Sequence, residues 1–260
     1  MGKRGPQSLQ MILIADVKFL LSNFCVKFGN MKNEKSMVRI PLWDLPIRIF
    51  HWLLVGSIIF SWLSAEWENF FAHYISGLFI LTLLSFRFLW GFWGSSTARF
   101  SHFIKGMEAM REYMSGFAAR RPSYTFGHNA IAALAVLALL LIVGTQVFTG
   151  LFASDDILFD GPLRDNVGKN VANFLGFFHE VNFNILLALI ALHLVSQIFY
   201  FFWKKENLVA AMITGKAKVP SEIAIQAKEQ GQARPGSLST ALLCYLPGLM
   251  AVLGIYFFNK

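Results

Sequence analysis

Charge is in short supply along this chain: 15% of its 260 residues are Asp, Glu, Lys or Arg, while 55% are hydrophobic and the mean hydropathy is positive. That balance places the chain in the membrane class. Cysteine is almost absent. Cys25 and Cys244 are the two; they form no CxxCH motif, which excludes covalent c-type haem attachment, and they lack metal-site spacing. No internal repeat and no glycine-rich phosphate loop occurs. Lys and Arg outnumber Asp and Glu by 23 to 15, for a net charge of +8. These basic residues fall in the gaps between apolar runs, so they set membrane orientation rather than bind nucleic acid.

Apolar runs are what the chain has in abundance. A bilayer core of about 30 Å needs about 20 such residues. Asp44 as a cap and Pro46 in a first turn open a helix over 47–65. Further spans are expected over 71–93, 129–152 and 173–203, and a fifth over 237–258. Residues 1–36 form an extension of uncertain role: a small-residue cleavage site after a clean apolar core is missing, so a signal peptide is not expected. They are read as an interfacial helix or as sequence ahead of a start at Met31 or Met37. The chain then divides into this extension, a four-helix core over 37–203, a basic interfacial segment over 204–236 and a fifth helix over 237–260. The expected fold is all-α, an integral-membrane four-helix bundle with an added C-terminal transmembrane helix. Lys and Arg crowd the segments before helix one, between helices two and three, and after helix four, whereas the 66–72 loop has none. The N-terminus is therefore expected on the cytoplasmic side, with helices one and three running outward.

Four histidines lie inside these spans. His179 and His193 are 14 positions apart on one helix, on nearly the same face and about 21 Å apart along the axis. His51 begins an outward helix, which puts it at the depth of His193. His73 begins an inward helix, which puts it at the depth of His179. An intramembrane imidazole is costly without a partner and marks a functional site. Two depth-matched pairs suit two non-covalent haems of b type, each with two axial histidines, leaving no open position for oxygen. The alternatives are packing histidines, or zinc, which wants three or four protein ligands close together. Gly77, one turn after His73, leaves room for a flat group or for close helix packing.

Around the expected cytoplasmic ends stand Arg48, Arg87 and Arg99. They are candidates to pair with haem propionates, since arginine matches carboxylates bidentately, or they act as orientation anchors. His128, at the entrance of helix three, is a candidate contact for a propionate or a quinone. His102 reads as a surface residue. At the other face, Glu66, Glu68, Asp155, Asp156, Asp160 and Asp165 make an acidic surface that could steer a basic partner or simply follow the topology.

The segments WDLPIRIFHW, FAHYISG, FRFLWGFWGSSTARFSHF, GHNA, the His179/His193 helix and ENLVAAMITGK together resemble the bacterial cytochrome b561 and nickel-hydrogenase b-type cytochromes, over about 38–218. Where that family has GHNP, this chain has GHNA. The resemblance implies a di-haem core ligated by His51, His73, His179 and His193, and a multi-pass protein of the bacterial inner membrane, in contact with lipid. It also implies electron exchange between membrane quinone and a periplasmic redox partner, a hydrogenase or a c-type cytochrome. A stand-alone superoxide:quinone oxidoreductase, a haem-free membrane anchor or transporter subunit, and a homodimeric assembly are the alternatives carried forward.

Overall fold

The computed structural model describes residues 36–103, 106–120, 122, 124, 127–154, 160–229 and 236–258. The expectations placed on 1–35, Cys25, Lys105, Arg121, Asp155 and Asp156 lie outside these residues.

Among the described residues five helices are long and apolar enough to cross a membrane. They are α1 (Leu45–Glu66), α2 (Phe70–Trp93), and, after a short amphipathic helix α3 (Met107–Ser115), α4 (Ala130–Gly150) and α5 (Lys169–Phe199). Helix α5 runs on through a π-helical turn, Tyr200–Lys204. A short α6 (Leu208–Thr214) and α7 (Ser221–Glu229) precede the fifth span, α8 (Leu238–Phe258). The helix starts follow from local chemistry. Asp44 Oδ1 accepts from the Ile47 amide at 2.8 Å, Asn69 Oδ1 from Ala72 at 3.1 Å, and Asn129 Oδ1 from Ala132 at 2.9 Å. Each cap satisfies an amide that the first helical turn leaves open.

Two strands add an element that the all-α expectation did not contain. Met37–Pro41 (β1) and Lys216–Pro220 (β2) pair antiparallel, with Arg39 opposite Lys218. The segment expected to be merely interfacial thus holds a helix, a strand and a further helix. Gly215 makes the junction. Its carbonyl accepts from the Leu42 amide at 2.8 Å and its φ is +76°. A Cβ there would stand 2.8 Å from the Trp43 carbonyl oxygen, so the close approach and the left-handed backbone both call for glycine. This end of the bundle is called the strand side below, and the opposite end the far side.

Helix α2 is the hub. It packs against α1, α4 and α8, while α4 packs against α5. Near the strand side a core joins Ile47 and Phe50 of α1, Leu83, Phe86 and Trp90 of α2, and Cys244 of α8. Trp90 is fully buried and its indole N–H donates to Asp44 Oδ2 at 3.2 Å. One carboxylate therefore caps α1 and also fixes α2 beside it. A second core, at mid-depth, joins Ile80, Val143, Val147 and Leu186, with Leu54 and Ile58 of α1 against it. Leu186 is seven residues from His179 and seven from His193, so an apolar layer separates the two histidine levels.

Helix α8 seats on α2 at Gly248, where a Cβ would fall 2.7 Å from Ser85 Cβ and 3.0 Å from the Thr82 carbonyl oxygen. Pro247 interrupts its amide ladder one residue earlier. The outward faces of the five spans carry exposed large apolar residues such as Phe60, Phe88, Leu141, Leu192 and Leu242, as a multi-pass membrane protein requires.

Candidate functional site

On the far side, α2 and α5 bring His73 and His179 together. Their ring centres are 6.1 Å apart and their planes are inclined at 79°. Two imidazoles sharing one metal through bonds of about 2 Å each would have ring centres roughly 6 Å apart. The chain reaches this arrangement through two different seats. The turn after α1, with Glu68 at φ +56° and Asn69 as cap, folds α2 back so that His73 meets the last turns of α1. There His73 Nδ1 lies 2.9 Å from the Ser61 carbonyl oxygen and 3.3 Å from the Ser61 hydroxyl. A carbonyl can only accept, so Nδ1 carries the proton and Nε2 keeps its lone pair.

His179 rests on the end of α4. Its Nδ1 is 3.1 Å from Thr149 Oγ1. That hydroxyl lies 2.8 Å from the Thr145 carbonyl and 3.1 Å from the Gln146 carbonyl. A hydroxyl has one proton, and two carbonyls compete for it, so toward His179 the oxygen accepts. The ring is again an Nδ1–H tautomer with Nε2 free. Gly150 makes room: a Cβ there would stand 2.9 Å from His179 Cε1. Gly77, one turn beyond His73 on the same face, would meet nothing within 4 Å if it bore a Cβ. Of the two readings of Gly77, the open surface at its Cβ position leaves room beside His73 rather than a close helix contact.

The strand-side histidines are arranged less tightly. His51 and His193 lie within electrostatic range of each other. They sit on α1 and α5, which are not among the closely packed helix pairs. His128, just ahead of α4, packs its ring on Trp43 at 4.8 Å and lies within electrostatic range of Arg87 and His193. Burial pushes His128 down to about 3 from its ordinary 6.5, with the Arg87 guanidinium and then His193 acting in the same direction; it is neutral at physiological pH. Arg87 is 3% exposed, donates to the Ala98 carbonyl at 3.3 Å and lies 5.0 Å over the Phe100 ring.

The other residues singled out by the sequence take these places. Arg48 donates Nε to the Met212 carbonyl at 3.3 Å and a terminal nitrogen to the Ile213 carbonyl, capping the end of α6. Arg99 donates Nε to the Gly94 carbonyl at 2.8 Å. His102 is exposed in a single helical turn, Phe100–Phe103. Of the acidic far-side residues, Glu66 accepts from the Trp62 indole at 3.0 Å and Asp160 faces Arg164 Nε at 3.9 Å.

Two polar groups near the site escaped the sequence reading. Thr149 is a polar residue inside an apolar run, and its spacing from His179 carries no local signal. Asn182, one turn after His179, was visible as a polar interruption of the longest run; it is 1% exposed and donates to the Ile142 carbonyl at 3.0 Å and to Gln146 Oε1 at 2.6 Å.

Chemically, the far side offers two imidazoles with ring centres 6.1 Å apart, and the strand side two more within electrostatic range of each other. Among the described residues no group of three or more His, Cys, Asp or Glu is placed to hold a metal ion, which does not suit zinc. Two opposed imidazoles suit a metal whose remaining positions are filled by a planar macrocycle, so the residues fit haem. The model of one protein family, described as prokaryotic cytochrome b561, matches residues 42–215. No curated protein and no solved structure matches the chain.

Proposed function

Because the chain belongs to the prokaryotic cytochrome b561 family, whose members are b-type membrane cytochromes, we propose that it moves single electrons across the bilayer through two non-covalent haems. His73 and His179 hold one, and His51 and His193 hold the other. The observation that carries the reading is the His73/His179 pair, with ring centres 6.1 Å apart and each Nδ1 engaged by an acceptor.

The bound haem supplies a one-electron couple. The chain's own residues do the rest. His73 and His179, their Nδ1 atoms engaged, keep Nε2 for the iron. The layer around Leu186 excludes water between the two levels. Arg87, which lies within electrostatic range of His128, and the neutral His128, which can still donate a hydrogen bond, are the groups proposed to meet propionates near His193; Arg48 and Arg99, like Arg87, spend one N–H on a backbone carbonyl and keep others to offer. The Lys and Arg distribution supports a cytoplasmic strand side in a bacterial inner membrane. Electrons then pass between the quinone pool and a redox partner at the periplasmic far side, a hydrogenase or a c-type cytochrome.

Pyridine haemochrome analysis of the purified chain should give two extractable b haems. In redox titration, His51→Ala and His193→Ala should disturb one component, and His73→Ala and His179→Ala the other. One haem or none per chain, or loss of different components from the His73 and His179 variants, would overturn the assignment.

A further inference from the structure

The two histidine levels are not equivalent. On the far side both Nδ1 atoms face acceptors: the Ser61 carbonyl for His73, and for His179 Thr149 Oγ1 at 3.1 Å together with the Gln146 backbone carbonyl. On the strand side His51 Nδ1 is buried with no hydrogen-bond partner among the described residues. Thr149 is well placed for its part. It is 2% exposed, so its oxygen does not trade His179 for water. Its hydroxyl proton is committed to the carbonyl of Thr145 or Gln146, which leaves a lone pair facing the ring. Gly150, the next residue, lets the imidazole lie against the helix backbone. Back-bonding of this kind fixes the rotamer of a β-branched side chain in a helix.

An acceptor on Nδ1–H pushes electron density into the ring, makes Nε2 a stronger donor and favours the oxidised state of whatever metal it holds. We propose that Thr149, together with the Ser61 carbonyl, sets the His73/His179 haem at a lower reduction potential than the His51/His193 haem. Thr149 is on this account a positioning residue, acting through His179. The inference rests on the two-haem reading. It implies that an electron on the far-side iron passes spontaneously to the strand-side iron: the first is oxidised by one electron, the second reduced by one, and no bond or proton changes place.

The test is a spectroscopic redox titration of the full chain in detergent, for the wild type and for Thr149→Val, Thr149→Ala and Thr149→Ser. The far-side component is identified as the one that His179→Ala removes. It should titrate at the lower potential in the wild type. Both hydroxyl-free variants should shift it upward, leave the other component in place and leave the haem count at two, and Thr149→Ser should stay near the wild-type value. A far-side component that titrates at the higher potential, a shift shared by both components, or a Thr149→Ser shift as large as that of Thr149→Val would overturn the proposal. Two resolved components that both ignore Thr149 would sink this inference alone, whereas a wild type with fewer than two components would sink the two-haem reading beneath it.

Discussion

The imidazole planes of His73 and His179 stand 79° apart, close to a right angle. That relationship has a spectroscopic consequence. Axial imidazoles set nearly perpendicular leave two iron d orbitals almost equal in energy, which makes a low-spin ferric haem strongly anisotropic. Electron paramagnetic resonance of the oxidised protein should contain a large-g low-spin signal, and His179→Ala should abolish it. A purely rhombic spectrum would contradict the ring geometry.

Asn182 ties α5 to α4 through the Ile142 carbonyl and Gln146 Oε1. Asn182→Ala should lower the stability of the detergent-solubilised protein by about 1 kcal/mol, since hydrogen bonds between membrane helices average about 0.6 and reach about 1.7 kcal/mol. The cost should shrink in Asn182→Ala/Gln146→Leu, where no amide is left unpaired. Thermal unfolding of the single and double variants measures the difference, and strictly additive losses would contradict the contact.

Helix α8 meets α2 where Gly248 faces Ser85 and the Thr82 backbone. Gly248→Leu should lift α8 off α2 and lower the melting temperature while both histidine levels persist, because α8 carries none of the four histidines. Haem stoichiometry alongside melting would separate the two effects. Loss of haem in proportion to stability would make α8 part of the cofactor scaffold.

His128 is neutral in the folded chain and takes up a proton when it unfolds below about pH 6.5. Its contribution to stability is therefore complete above pH 6.5 and is lost progressively as pH falls toward about 3. His128→Asn should flatten the acid limb of melting temperature against pH. An unchanged limb would assign acid sensitivity to other groups.

The approach of His73 to His179 and the helix spans were legible in the sequence because both follow from periodic or local signals. Asp44, Asn69 and Asn129 stand just ahead of apolar runs, and the spans expected over 47–65 and 71–93 are Leu45–Glu66 and Phe70–Trp93. What escaped is non-local. Met37–Pro41 shows no strand signal of its own, because the other half of the ladder, Lys216–Pro220, lies far along the chain. The destination of Arg48 is hidden for the same reason, since the carbonyls that it meets belong to α6. Helix α8 is apolar on every side, so no stripe in its sequence marks the face that seats on α2. Thr149 differs from other hydroxyls in membrane helices only in what lies across from it.

The β1–β2 ladder also orders events in the life of the chain. β1 is made before the first span and waits, unpaired, while the helices that carry all four histidines are synthesised, because β2 follows α6. Until then nothing buckles the start of α1 to the end of α5, and the two helices that carry His51 and His193 are joined only through their neighbours. The clasp at this end of the bundle can therefore close only once every histidine has been made.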